Sequence, residues 1–183
     1  MRVPPVRNPR SLVARITYWM ARRQLGKVPE AFQVIYGNAP ALARTSYSIL
    51  QTTEKRLSLP EELRLLVATQ SSLMNGCSFC ADLHQAQAIQ MKMGQERFRD
   101  LLEFRTSPHY SDAERAALAF TEEVTRDRKA SDATFEALRS HFDDREIVEL
   151  AWLNAIGNFY NFQAVALGLE SAGLAEIAAR RAA

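Results

Sequence analysis

Leu59-Pro60-Glu61-Glu62-Leu63-Arg64-Leu65-Leu66-Val67, an uncharged continuation to Met74, and then Asn75-Gly76-Cys77-Ser78-Phe79-Cys80-Ala81-Asp82-Leu83-His84 spell helix, break, helix. Ser58 is the expected cap of the first helix. Pro60 suits its first turn, and Glu61 and Glu62 sit where the positive end of a helix favours acids. Asn75-Gly76 stops it, so Cys77 and Cys80 open the next helix. Offsets of three and seven place Cys77, Cys80 and His84 on one helical face, with Cys80 and His84 neighbours at i, i+4. Backbone N–H groups at a helix start favour a thiolate. Two thiols and an imidazole in this array suit dithiol–disulfide chemistry, in which a thiolate attacks, a second thiol closes a disulfide and a base moves the proton.

Helical signals continue in both directions, and no alternating β-branched run bounded by turn residues occurs. Upstream, helices are expected over Leu12–Leu25, around Ala31–Tyr36, and from Pro40 to about Thr52, with Gly26-Lys27-Val28-Pro29 and Gly37-Asn38 as breaks. Downstream, Ser78–Met91 and Glu96–Phe104 are followed by the Ser107-Pro108 loop. Ser111-Asp112-Ala113-Glu114 has the form of a capping box for a helix to about Arg126. Ser131-Asp132 caps another helix, Asp143-Asp144 caps a last long helix to about Leu169, and Gly173 sets off a short alanine-rich tail. The pattern is all-α, with residues 1–25 a basic arm and helix and residues 26–183 one helical domain. At 183 residues the chain buries enough surface to fold without a disulfide or metal.

The formal charge of +2, from 23 basic and 21 acidic residues, is too balanced for a nucleic-acid partner. The basic residues Arg2, Arg7, Arg10, Arg15, Arg22, Arg23 and Lys27 all precede the first acid, Glu30. A solvated arm accounts for them, although Leu12, Ile16 and Trp19 share a face that would also suit a membrane surface. Arg15 interrupts any secretory apolar run. The uncharged run Leu150–Leu169 is as long as a membrane span of ~20 residues, but it holds Asn154, Asn158, Asn161 and Gln163, amides that are costly in lipid. It reads instead as a helix buried in the protomer or between subunits, so no membrane association is expected. Absence of a secretory signal and a low cysteine count point to the cytoplasm.

The two cysteines have other readings. They could be inert buried hydrophobes. With His84 they could give three zinc ligands, but a structural site wants four, and His109 and His141 are the only other histidines. A thioredoxin-like motif would follow a strand, and none is expected. His109 is placed in a solvated loop, and His141 near a helix C-terminus. Phe79, Trp152, Phe159, Tyr160 and Phe162 are expected as core or pocket wall. No cofactor or metal is expected.

The two quoted stretches resemble the carboxymuconolactone decarboxylase superfamily, and within it the alkylhydroperoxidase AhpD-like branch. Gly26-Lys27-Val28-Pro29, Asp144-Arg145-Glu146-Ile147-Val148-Glu149-Leu150 and Asn158-Phe159-Tyr160-Asn161 extend the likeness over about residues 26–170. The resemblance implies an AhpD-like helical bundle with intertwined subunits, forming a homo-oligomer, trimer or hexamer. It also implies a peroxidase-like cycle: Cys80 attacks a hydroperoxide or disulfide substrate, Cys77 resolves the product, and His84 assists proton transfer. An external thiol or dithiol then resets the pair. Two positions depart from the family pattern. Phe79 replaces a histidine, and Leu65 stands where a relay glutamate is usual, which leaves Glu61, Glu62 or Glu149 as stand-ins. The decarboxylase members lack the cysteine pair. A non-catalytic redox sensor or an oligomeric binding protein is the alternative function.

Overall fold

The computed structural model describes residues 1–182. Among them the order is α1 (Leu12–Leu25), α2 (Glu30–Asn38), α3 (Pro40–Lys55), α4 (Glu61–Met74), α5 (Ser78–Gln90), α6 (Gln95–Arg99), a 3-10 turn (Leu101–Glu103), α7 (Asp112–Asp127), α8 (Asp132–Arg139), α9 (Asp144–Ala166) and α10 (Leu174–Ala182). No strand occurs among the described residues.

The starts of α7, α8 and α9 follow from side chains. Ser111 and Glu114 form a reciprocal capping box, as do Asp143 and Glu146, and Ser131 accepts from the Thr134 amide. The start of α4 differs from the sequence expectation. Pro60 is its N-cap, and no side chain caps it. Ser58 lies too far upstream and serves α9 instead, donating its hydroxyl (2.9 Å) and its backbone N–H (2.7 Å) to the Glu149 carboxylate, which also takes the Leu59 N–H at 3.2 Å. The approach to α4 is therefore clamped to α9 from a distance in sequence. The region expected as one helix over Glu96–Phe104 is split into α6 and the 3-10 turn.

Helix α4 is the centre of the bundle and packs on α5, α7 and α9. Its Leu63 and Val67 face a core made with Ala117, Phe120, Leu138, Ile147 and Leu150. Leu65 and Leu66 face a second core with Ala88, Phe98, Leu101, Phe104 and Leu118. A third core gathers around the cysteines and includes Val34, Phe79, Ala86, Ala164, Leu174 and Ala178. The residues after Gly173, which composition suggests are only a tail, form α10 and pack along α5.

Helix α9 buries Ile147, Leu150, Leu153, Asn154, Asn161 and Ala164 but leaves Val148, Trp152, Phe159, Phe162 and Val165 exposed in the single chain. Trp152, Phe159 and Phe162 are thus not part of the protomer core, because an apolar helix longer than its neighbours has more faces than they can cover. Phe79 is buried as expected. No described helix is long and apolar enough to cross a membrane.

Candidate functional site

Gly76 turns the chain between α4 and α5 with φ +66°, a left-handed conformation that glycine adopts without a Cβ penalty. The turn places Cys77 as the N-cap of α5 and Cys80 in its first turn. The two sulfurs form a disulfide, with a Cα–Cα distance of 5.3 Å. Cys77 Sγ also accepts the Cys80 backbone N–H at 3.2 Å. The helix-start stabilisation expected for both thiols therefore falls on Cys77. Both cysteines lie inside the third core, where Cys77 is 1% exposed and Cys80 6%.

His84 lies on α5, one turn past Cys80. Its Nδ1 is 3.3 Å from Ser72 Oγ, on α4. Ser72 Oγ is in turn 2.8 Å from the Ala68 carbonyl and 3.1 Å from the side chain of Asn161, on α9. Three helices thus meet at one hydroxyl. Burial pushes the His84 imidazole down to about 4, although the residue as a whole is only partly buried. The ring is neutral near pH 7.

None of the expected stand-in carboxylates reaches His84 among these contacts. Glu62 pairs with Arg97 at 2.9 Å. Glu149 is spent on Ser58, Leu59 and Arg145, and Glu61 lies at the surface. Leu65 is core. Burial would raise the Glu149 pKa, but its four donors outweigh that and hold it below the usual carboxylate range. The sequence reading missed Ser72 and Asn161. The available signal was polar side chains inside uncharged helical runs, since such groups need partners.

Asp82 faces the other side of α5. Its carboxylate accepts the backbone N–H groups of Ala172 (2.8 Å), Leu174 (2.9 Å) and Ala175 (2.9 Å), fastening the start of α10 beside the disulfide. His109 is 3.7 Å from Asp100 in its loop, and His141 is exposed beyond α8. Among the described residues no three of His, Cys, Asp and Glu gather as a metal-ligand set.

Residues 40–123 match the model of the Carboxymuconolactone decarboxylase family. The uncharacterized Bacillus subtilis protein YdfG is 30% identical over 120 residues, which cover 64% of this chain and 82% of YdfG. The chain belongs to the carboxymuconolactone decarboxylase family. Its AhpD-like character is supported by a crystal structure of an Agrobacterium tumefaciens protein of unknown function, suggested to act in antioxidant defence as AhpD. That structure is 27% identical with a TM-score of 0.70, covering 74% of this chain and 94% of the other. The debrominase Bmp8, in complex with 2,3,4-tribromopyrrole, shares the fold at 22% identity and a TM-score of 0.83, covering 100% of this chain and 98% of that one. AhpD-like helical architecture therefore serves more than one chemistry.

The neutral His84 has a stability signature. Its folded pKa of about 4 lies below the ordinary 6.5, so between those values the unfolded chain binds a proton that the folded chain refuses. The stabilisation is complete above pH 6.5, is lost as pH falls towards 4, and levels off below that. The full shift corresponds to roughly 3 kcal/mol, and residual solvent access trims it to about 2 kcal/mol. Urea unfolding at pH 7 and pH 4.5 is expected to show most of this loss in the wild type, and a loss smaller by about 2 kcal/mol in His84→Gln. Equal losses would show that His84 is solvated.

Proposed function

We propose that this family member is a thiol-dependent oxidoreductase of the alkylhydroperoxidase kind, cycling Cys77 and Cys80 between dithiol and disulfide. The observation that carries the reading is the Cys77–Cys80 bond at the mouth of α5, with His84 one turn further along the same helix. In the oxidative half, the Cys80 thiol gives its proton to His84 and the thiolate attacks a hydroperoxide. An S–O bond forms, the O–O bond breaks, and the departing alkoxide takes the proton from His84 to leave as alcohol. The Cys77 thiol then attacks the Cys80 sulfenic acid, forming the disulfide and releasing water.

In the reductive half, an external thiol attacks Cys80, the less buried sulfur, and Cys77 leaves as the thiolate held by the Cys80 N–H. A second thiol, in a dithiol reductant the same molecule, resolves the mixed disulfide. A disulfide substrate would run the same exchange in reverse. The apolar face of α9 suits burial against other copies of the chain, as a trimer or hexamer with intertwined helices. A cytoplasmic thiol pool would supply the reductant.

A redox-sensor reading is favoured by one observation, the deep burial of both cysteines. Tert-butyl hydroperoxide with excess dithiothreitol separates the two. The enzyme is expected to consume many equivalents per chain. Consumption of one equivalent, with a change in size-exclusion volume on oxidation, would give the sensor instead.

A further inference from the structure

Three groups surround Ser72 Oγ, and its chemistry allows one arrangement of them. A hydroxyl has one hydrogen to donate and two lone pairs. The Ala68 carbonyl, at 2.8 Å, can only accept. If the hydroxyl hydrogen pointed at His84 or Asn161, two oxygen acceptors would face each other at 2.8 Å. The hydrogen therefore belongs to Ala68, the i−4 carbonyl of the same helix. Ser72 Oγ can then only accept from its remaining two neighbours.

Asn161 can supply such a donor. It is buried, and its Nδ2 has no partner while its Oδ1 lies 3.1 Å from Ser72 Oγ. A half turn of the amide exchanges two groups of the same shape. It directs Nδ2 at Ser72 and leaves a carbonyl unpaired in place of an NH2, the less costly orphan. The remaining lone pair of Ser72 faces His84 Nδ1 at 3.3 Å, which must then carry the proton. Each of the three contacts of Ser72 Oγ pairs one donor with one acceptor in this arrangement and in no other.

We infer that Ser72 and Asn161 are positioning residues that hold His84 as its Nδ1–H tautomer, leaving Nε2 as an unprotonated base for the cysteine pair. The base role rests on the proposed thiol chemistry, whereas the tautomer follows from the hydrogen-bond count alone. Because His84 is neutral at pH 7, the Nε2 lone pair is available there without deprotonation. Serine and asparagine thus occupy the place behind the imidazole that a carboxylate would fill. They fix its orientation without charge, so the imidazolium formed on taking a proton is not held by a neighbouring anion and readily returns it to the alkoxide.

Long-range 1H–15N correlation spectra of the imidazole in the wild-type protein decide the tautomer without any turnover. The expected pattern is Nδ1 protonated and Nε2 unprotonated; the reverse pattern overturns the inference. Ser72→Ala, which only removes a buried hydroxyl, is expected to release His84 towards Nε2–H and to slow single-turnover thiol oxidation by about tenfold or more, with the hydroxyl-bearing Ser72→Thr restoring both. A Ser72→Ala protein that keeps the Nδ1–H pattern would show that Ser72 does not set it. The correct tautomer in a protein without peroxide turnover would leave the positioning of His84 by Ser72 and Asn161 standing and remove the proposed function, and the base role with it.

Discussion

Cys80→Ser is expected to lower peroxide or disulfide turnover on the order of 10³-fold or more, the scale seen when an enzyme loses its nucleophile. A serine hydroxyl is almost fully protonated where a thiol is partly ionised, and it forms no disulfide. Cys77→Ser is expected to behave differently. It keeps the attacking sulfur and loses the one that resolves, so a single event leaves Cys80 as a sulfenic acid or a mixed disulfide. Dimedone labelling followed by mass spectrometry reads this directly, with label on Cys80 in Cys77→Ser and none on Cys77 in Cys80→Ser. Label on Cys77 would reverse the assignment of the two sulfurs. Such a reversal has a physical basis to be tested, because Cys77 Sγ receives the helix-start N–H. Folding does not confound the comparison. The disulfide closes a loop so short that its chain-entropy contribution is about 2 kcal/mol, and reduced wild type is the proper reference for either variant.

The sequence made the local features of this fold legible and left the distant ones obscure. The capping box at Ser111 and the cap at Asp143 are local patterns, and the structure has both, the second completed by Glu146. The Asn75-Gly76 break and the cysteines behind it were likewise local. Ser58 had the form of a cap, yet its hydroxyl goes to Glu149, ninety-one residues away. No neighbour pattern encodes such a partner. The support of His84 was obscure for the same reason. Its contact residue lies twelve positions away on another helix, and Asn161 is eighty-nine positions from Ser72. Glu61 and Glu62 lie near Leu65 along the helix and Glu149 lies in a family-like stretch, but each is engaged or exposed elsewhere. Trp152, Phe159 and Phe162 show a further limit. Hydrophobicity indicates that a side chain prefers cover, and says nothing of whether the same chain supplies it.

Asp82→Ala is expected to loosen α10 and speed access to the disulfide. Burial alone would raise the Asp82 pKa, but three backbone N–H groups and Ser171 outweigh it and hold the carboxyl below its usual range. Its stabilisation is therefore present above the unfolded carboxyl pKa near 4 and is lost as pH falls below that, a window under that of His84. Alanine leaves the N–H groups of Ala172, Leu174 and Ala175 unsatisfied at a partly buried helix start, a cost of about 2–3 kcal/mol. The ceiling is the cost of undocking α10, after which water satisfies those groups. Undocking also uncovers Leu174 and Ala178, which share the buried cluster of Cys77 and Cys80. Hydrogen exchange at residues 172–182 is expected to rise, and reduction of the disulfide by dithiothreitol to quicken by about tenfold, since each ~1.4 kcal/mol removed from an opening equilibrium multiplies the open population by ten. Asp82→Asn, which keeps a carbonyl acceptor, is expected to fall between alanine and wild type in both measurements. A loosened α10 with an unchanged reduction rate would show that thiols reach the sulfurs from another side, by way of α2 or the end of α9, and would separate the stability role of Asp82 from any influence on the redox pair.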